Sequence, residues 1–239
     1  VSAAALRLGL DVISISRSGA PSSSTSGMRA LSALEKTTGQ SISWMQGDAF
    51  APSDWREAVE GSTGVVSCIG AFGSNEHMLR VNGDVNARVA EVSSEILSND
   101  SNFVYISTVE NNLPDFILRG YFEGKQRAEE AVEHSFPSRA IILRPPFVYG
   151  TRDVGSLSLP LGLVGRPLEM LLQMPGFNNL VHLPGMRAAL TPPVSVEDVG
   201  LVAAAAAAGR GAPAGVGPGI KDGQAIREGA ARLRRELTA

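Results

Sequence analysis

Short β-branched runs alternate with helix-length apolar periods along the first 150 residues, and few architectures accept that order. Residues 10–16 (LDVISIS), 42–46 (ISWMQ), 64–69 (GVVSCI), 103–107 (FVYIS) and 140–143 (AIIL) read as strands. Between them, Met28, Leu31 and Leu34 repeat at helical spacing within 28–38, and Ser53 is placed to cap a short helix ending near Val59. Longer helices are expected over 78–97 and 116–133. The run 64–69 is apolar without alternation, as a strand covered on both faces should be. Strands and helices in this order build βαβ units, so residues 1–150 are expected to form a doubly wound parallel sheet. The alternation lapses after Gly150. Residues 151–239 are expected to form a small C-terminal region packed on the same domain, with a helix over 195–208 opened by Ser195 and Asp198 as a capping box. A Gly/Pro-rich stretch, 209–219, then leads to an Arg-rich terminal helix.

Composition narrows the function classes. With 239 residues, 44% apolar and 19% charged, the chain has material for a full core and is not a disordered sequence. A formal charge of −3 gives no electrostatic footprint for nucleic acid. The longest apolar run, 201–208, is far shorter than the roughly 20 residues of a membrane span. One cysteine, Cys68, excludes a disulfide framework and fits a reducing compartment; with His77, His134 and His182 it leaves no clustered zinc ligands.

A doubly wound parallel sheet binds nucleotides outside the carboxyl ends of its strands. Ser16, Arg17 and Ser18 close the first strand. An acidic residue there would grip a ribose 2′-hydroxyl, whereas Arg and two serines suit a 2′-phosphate, which favours NADP(H) over NAD(H). Arg17 equally reads as a solvated loop residue. Asp48 follows the second strand, where it would contact an adenine amino group or simply form a turn. Ile69, Gly70 and Ala71 follow the third strand, and glycine there lets backbone approach a cofactor closely or makes a tight turn. Tyr121 and Lys125, spaced by four, share one helix face. A neighbouring ammonium favours the phenolate, so the Tyr121 pKa is expected to fall and the phenol to serve as general acid/base. Lys125 would also hold a nicotinamide ribose. Ser107 ends a strand 14 residues earlier, where its hydroxyl would polarise a substrate carbonyl. The rival reading is a surface pair and a strand-end serine.

Ser107, the Tyr121–Lys125 pair and the run Arg144-Pro145-Pro146-Phe147-Val148-Tyr149-Gly150 resemble the short-chain dehydrogenase/reductase superfamily in its atypical or extended branch, a Rossmann-like fold. Residues 81–86 (VNGDVN) and 193–199 (PVSVEDV) are similar to that branch as well. The resemblance implies that Pro146 and Val148 pass the nicotinamide. Within the branch it points to organellar NAD(P)-binding proteins: plant mitochondrial and plastid members, a fungal protein linked to coenzyme Q synthesis, and the nucleotide-binding accessory subunit of respiratory complex I. It thereby implies a mitochondrion (matrix side of the inner membrane) or chloroplast, and a membrane-associated redox complex as partner. The activity implied is oxidation or reduction of a hydrophobic carbonyl, alcohol or quinone-like substrate; the alternative is a non-catalytic accessory subunit.

The departure from that pattern is at the front. Residues 1–9 (VSAAALRLG) read as the last turns of a helix stopped by Gly9, with no preceding strand and glycine-rich turn. Such a sheet carries its first strand in the middle, so without it two half-sheets are expected to stand unjoined, and about 15–20 upstream residues are expected. The glycines of 209–215 follow an Ala-rich helix rather than a strand, so they read as a linker. The apolar segment 157–174 reads as a hydrophobic pocket, a membrane-surface contact or core, and Arg227, Arg232, Arg234 and Arg235 as a basic face, solvated or docked on an acidic partner.

Overall fold

Phe103, Val104 and Tyr105 are fully buried in succession, which makes the strand they occupy the centre of the structure. The computed structural model describes residues 1–109, 118–154, 157–160, 192–209 and 216–238, with 151–154 and 157–160 as backbone alone. In it β3 (Gly64–Ser67), β4 (Asn102–Ile106), β5 (Ala140–Arg144) and β10 (Gly219–Asp222) form a parallel sheet in the order β10-β5-β4-β3. Val104 stands opposite Val66 on one side and Ile141 on the other. A second parallel pair joins β1 (Val12–Ser16) to β2 (Ile42–Gln46). Short pairs, β6 (Val148–Tyr149) with β9 (Val194–Ser195) and β7 (Thr151–Val154) with β8 (Leu157–Pro160), lie outside these two sheets.

Helices cover both faces, as the strand pattern requires. One layer holds α1 (Ser2–Arg7), α7 (Val196–Ala208) and α8 (Gly223–Thr238); their Ala4, Val202, Ile226 and Leu233 share a core with Val104, Ile141 and Leu143. The opposite layer holds α3 (Arg56–Val59), α5 (Val85–Ile96) and α6 (Arg119–Ser135), where Trp55, Val89, Ala128, Val132 and Phe136 pack on Phe103 and Tyr105. Each fully buried large side chain here is worth about 1.5–3 kcal/mol of transfer free energy. The remaining helices, α2 (Ser26–Thr38) and α4 (Asn75–Leu79), start at side-chain caps from Thr25 and Ser74.

The two parallel sheets are not hydrogen-bonded to each other, as the sequence led us to expect. Val12 and Val66 enter one core while Ile15 and Val65 enter the other, so β1 and β3 lie between the same two helical layers. Among the described residues no strand lies between them.

Several boundaries differ from the sequence reading for identifiable reasons. The helix expected over 78–97 begins at Asn75 and is interrupted by a π-turn, Arg80–Asp84, which buries Asn82, while Asn86 is buried in the first turn of α5. Ser53 falls in a 3₁₀ turn, Pro52–Asp54, and caps nothing. Ser195 accepts from the Asp198 N–H at 3.0 Å, but the Asp198 carboxylate pairs with Arg234 instead of returning the bond. Strand β10 was not legible: it is short, largely exposed and opens on a glycine. Of the basic C-terminal face, Arg227 reaches the Pro192 carbonyl, Arg234 takes Asp198, and Arg232 and Arg235 are exposed. Residues 161–174 of the apolar segment and 210–215 of the glycine-rich stretch lie outside the described residues.

Gly64 explains how α7 seats on the sheet. A Cβ on Gly64 would stand 2.0 Å from the Ala207 carbonyl oxygen, a backbone atom that cannot rotate away. Gly64→Ala is therefore expected to destabilise the fold by about 2–3 kcal/mol, read as a lowered urea midpoint; an unchanged midpoint would contradict this packing.

Candidate functional site

Tyr121, Lys125 and Glu129 follow one another at intervals of four along α6, hence on one face. Two glycine contacts set that face. The Gly120 N–H donates to Asn75 Oδ1 at 3.0 Å, and a Cβ on Gly120 would collide with the Asn75 carbonyl, which fixes the start of α6 against α4. Four residues later a Cβ on Gly124 would lie 3.1 Å from Asn82 Cβ, and one on Gly83 3.1 Å from Gly124 Cα. A glycine inside a helix costs about 1 kcal/mol relative to alanine; here it admits α6 to contact with the π-turn.

That approach buries Lys125, a residue only 7% exposed. Its Nζ donates to the Ile106 carbonyl at 2.7 Å and lies 4.7 Å from the Tyr105 ring centroid and 5.9 Å from that of Tyr121. Desolvation lowers the amine to about 8, opposed by Cys68 and Glu129. Cys68 is accessible to solvent, yet crowded enough that desolvation raises its thiol against the pull of nearby positive charge, Lys125 included.

The hydroxyls are arranged differently from the sequence reading. Ser107 is buried, and its Oγ donates to the Glu129 carboxylate, which Arg144 grips with Nε at 3.0 and 3.2 Å and with Nη2. The side chain that hydrogen-bonds Tyr121 is Thr108, one residue on. The Phe72 ring stacks on Tyr121 at 5.1 Å and 9°, and Phe122 meets it edge-on. Burial raises the Tyr121 phenol, and the Thr108 bond partly offsets it. The expected fall does not occur, because the ring is covered and Lys125 spends a hydrogen bond on Ile106. Thr108 and Glu129 were missed; the available signal for Glu129 was its spacing of four from Lys125.

Ile69, Gly70 and Ala71 are held over Lys125 by two buried asparagines. Asn82 exchanges hydrogen bonds with the Ala71 backbone, Nδ2 to O at 2.9 Å and N to Oδ1 at 3.2 Å, and donates to the Met78 carbonyl. Asn86 Nδ2 donates to the carbonyls of Ile69, Val81 and Asn82, and its Oδ1 accepts from Ser67 Oγ at 2.6 Å. A Cβ on Gly70 would lie 3.0 Å from Asn82 Oδ1 and 3.9 Å from Lys125 Nζ, so glycine leaves bare backbone beside the ammonium. Pro146 is buried in a turn tied to the end of β4 by the Val109 N–H, which donates to the Pro145 carbonyl at 3.3 Å; Val148 is half-buried.

Ser16, Arg17, Ser18 and Asp48 form a second group. The Gly47 and Gly19 N–H groups both donate to the Ser16 carbonyl, and all four side chains or their residues are solvent-exposed apart from local turn bonds. Asp48 Oδ1 accepts from the Phe50 N–H at 3.0 Å, the turn-forming role. Arg80 stands 4.6 Å over the Phe50 ring and ties this group to the π-turn. Among the described residues no cluster of His, Cys, Asp and Glu could hold a metal ion, and no helix is long and apolar enough to cross a membrane.

The described architecture has known counterparts. The fold is similar to a short-chain dehydrogenase/reductase from Serratia marcescens, with TM-score 0.58 and 14% identity over 94% of this chain and 92% of that one. It is also similar to MoeE5 in complex with UDP-glucose and NAD, with TM-score 0.51 and 14% identity over 89% and 75%. These likenesses define a Rossmann-like α/β protein. In sequence, an uncharacterized chloroplastic protein of Arabidopsis thaliana is 37% identical over 201 residues, 83% of this chain and 63% of that protein. The chain thus spans less than two thirds of that relative's length. No family model matches the chain.

The buried ammonium has a thermodynamic signature. With a folded midpoint of about 8 against 10.5, Lys125 binds more proton in the unfolded chain between those values, so stability rises as pH rises through that window. Urea unfolding should show a gain of about 1–2 kcal/mol from pH 8 to pH 9.5 that Lys125→Met abolishes; an equal gain in the variant would mean that Lys125 is not the group responsible.

Proposed function

We propose that this chain binds a nicotinamide dinucleotide along the carboxyl ends of its strands, NADP(H) in preference to NAD(H), as an atypical short-chain dehydrogenase/reductase. The observation that carries the reading is the buried Lys125 ammonium, one turn beyond Tyr121 and beside the bare backbone of Gly70. The site fits the group: an ammonium has three donors, one is used on Ile106, and two remain for ribose hydroxyls. Arg17, with Ser16 and Ser18, would bind a 2′-phosphate, and the second Asp48 oxygen an adenine amino group. Ile69, Ala71, Pro146 and Val148 would line the nicotinamide side.

When bound, the nucleotide supplies or accepts a hydride. Tyr121 gives or takes the proton at the substrate oxygen, with Thr108 as its hydrogen-bond partner, while Ser107 acts from behind through Glu129. The exposed rings of Phe72 and Phe147 favour a hydrophobic carbonyl or alcohol or a quinone-like substrate. The Arabidopsis relative's name supports a chloroplast location. A second reading, a nucleotide-binding accessory subunit of a membrane-associated electron-transfer complex that does no chemistry, is favoured by one observation: Phe72 covers a phenol whose pKa is raised.

Calorimetry and a panel of apolar ketones and quinones test both. Arg17→Asp should weaken NADPH at least tenfold and leave NADH nearly unchanged. Tyr121→Phe should cut turnover at least a hundredfold and leave NADPH affinity within about threefold. Undiminished turnover in Tyr121→Phe would remove the catalytic assignment. A wild-type protein that binds NADPH tightly yet turns nothing over supports the accessory reading, and one that binds neither nucleotide at millimolar concentration overturns the cofactor assignment.

A further inference from the structure

Glu129 is a charged residue buried behind the candidate site, and three elements meet at it. Its carboxylate accepts from Ser107 Oγ, at the end of β4, and from Arg144 Nε and Nη2, at the end of β5. It is itself anchored on α6, four residues beyond Lys125. One carboxylate therefore staples the helix that presents Tyr121 and Lys125 to the ends of the two central strands. Breaking a buried pair from one side leaves an uncompensated charge, which makes the arrangement all-or-none. The Ser107 proton is committed to this carboxylate, so the hydroxyl beside Tyr121 is that of Thr108.

The same carboxylate is the anion available to Lys125. The groups around that ammonium are Glu129 and Tyr121 from its own helix, Tyr105 from β4, Cys68 from the end of β3, and Arg144 reached through Glu129. Tyr105 is buried with its phenol raised, and Cys68 and then Glu129 favour the charged amine; Glu129 is the carboxylate among these groups.

We propose that Glu129 is the positioning residue of this site: through Ser107 and Arg144 it fixes α6 on β4 and β5, and it sets a carboxylate one helical turn from Lys125. The purpose of that ammonium rests on the nucleotide reading, but the staple and its electrostatic effect do not.

The chain has three lysines, Lys36, Lys125 and Lys221, so lysine labelled with carbon-13 at Cε resolves Lys125 by NMR. In the wild-type protein its midpoint is expected near 8. Glu129→Gln should lower it by about one pH unit or more, and Arg144→Met, which leaves the carboxylate unneutralised, should raise it. A loss of packing alone does not move one charge in opposite directions in two variants. An unmoved midpoint in either folded variant, or movement in the same direction in both, overturns the proposal. Should Glu129→Gln not fold, Arg144→Met decides: a rise supports the proposal and no rise overturns it. NADPH titrated into the same samples separates the two ideas, because opposite shifts without nucleotide uptake uphold Glu129 and remove the cofactor assignment.

Discussion

A lysine buried to 7% exposure has to have its charge stabilised by what surrounds it, and Lys125 imposes that demand on the whole carboxyl edge of the central sheet. The Ile106 carbonyl, the Tyr105 ring and the Glu129 carboxylate each meet part of it. Meeting it requires α6 to lie close against the π-turn, and that in turn requires Gly83 and Gly124. Asn82 then closes the arrangement by holding Ala71 through both backbone groups. These residues come from four segments separated in sequence, so the site is a property of the assembled sheet rather than of one loop.

The cost is visible in the chemistry left over. A desolvated amine near 8 sits close to neutrality, so modest changes in its neighbours decide whether it is charged. Such tuning fits a group that orients a polar ligand, and it would be an expensive way to fill a core. For the proposed proton transfer the covered Tyr121 phenol makes the opposite demand, since Phe72 stacks on its face and would have to leave it or admit a substrate past the ring edge.

Much of this was legible in the sequence. The five strands β1 to β5 came from short β-branched runs between helical periods, whereas the sheet order with β10 at its edge did not. Tyr121 and Lys125 declared themselves by spacing. Other features were not readable because they depend on tertiary approach: the π-turn at Arg80–Asp84, the strand Gly219–Asp222 and the raised Tyr121 phenol. Ser107 and Thr108 are adjacent hydroxyls, and sequence alone does not say which faces Glu129 and which Tyr121.

The central claim is that a nicotinamide nucleotide lies along the carboxyl ends of these strands. Hydrogen–deuterium exchange with and without NADPH tests it at the level of backbone segments. The account predicts slowed exchange at residues 16–19, 47–50, 69–73 and 121–125 together, with the helical layers elsewhere unchanged. Exchange unaltered at 69–73 and 121–125 by saturating NADPH, or protection confined to another face, would contradict it.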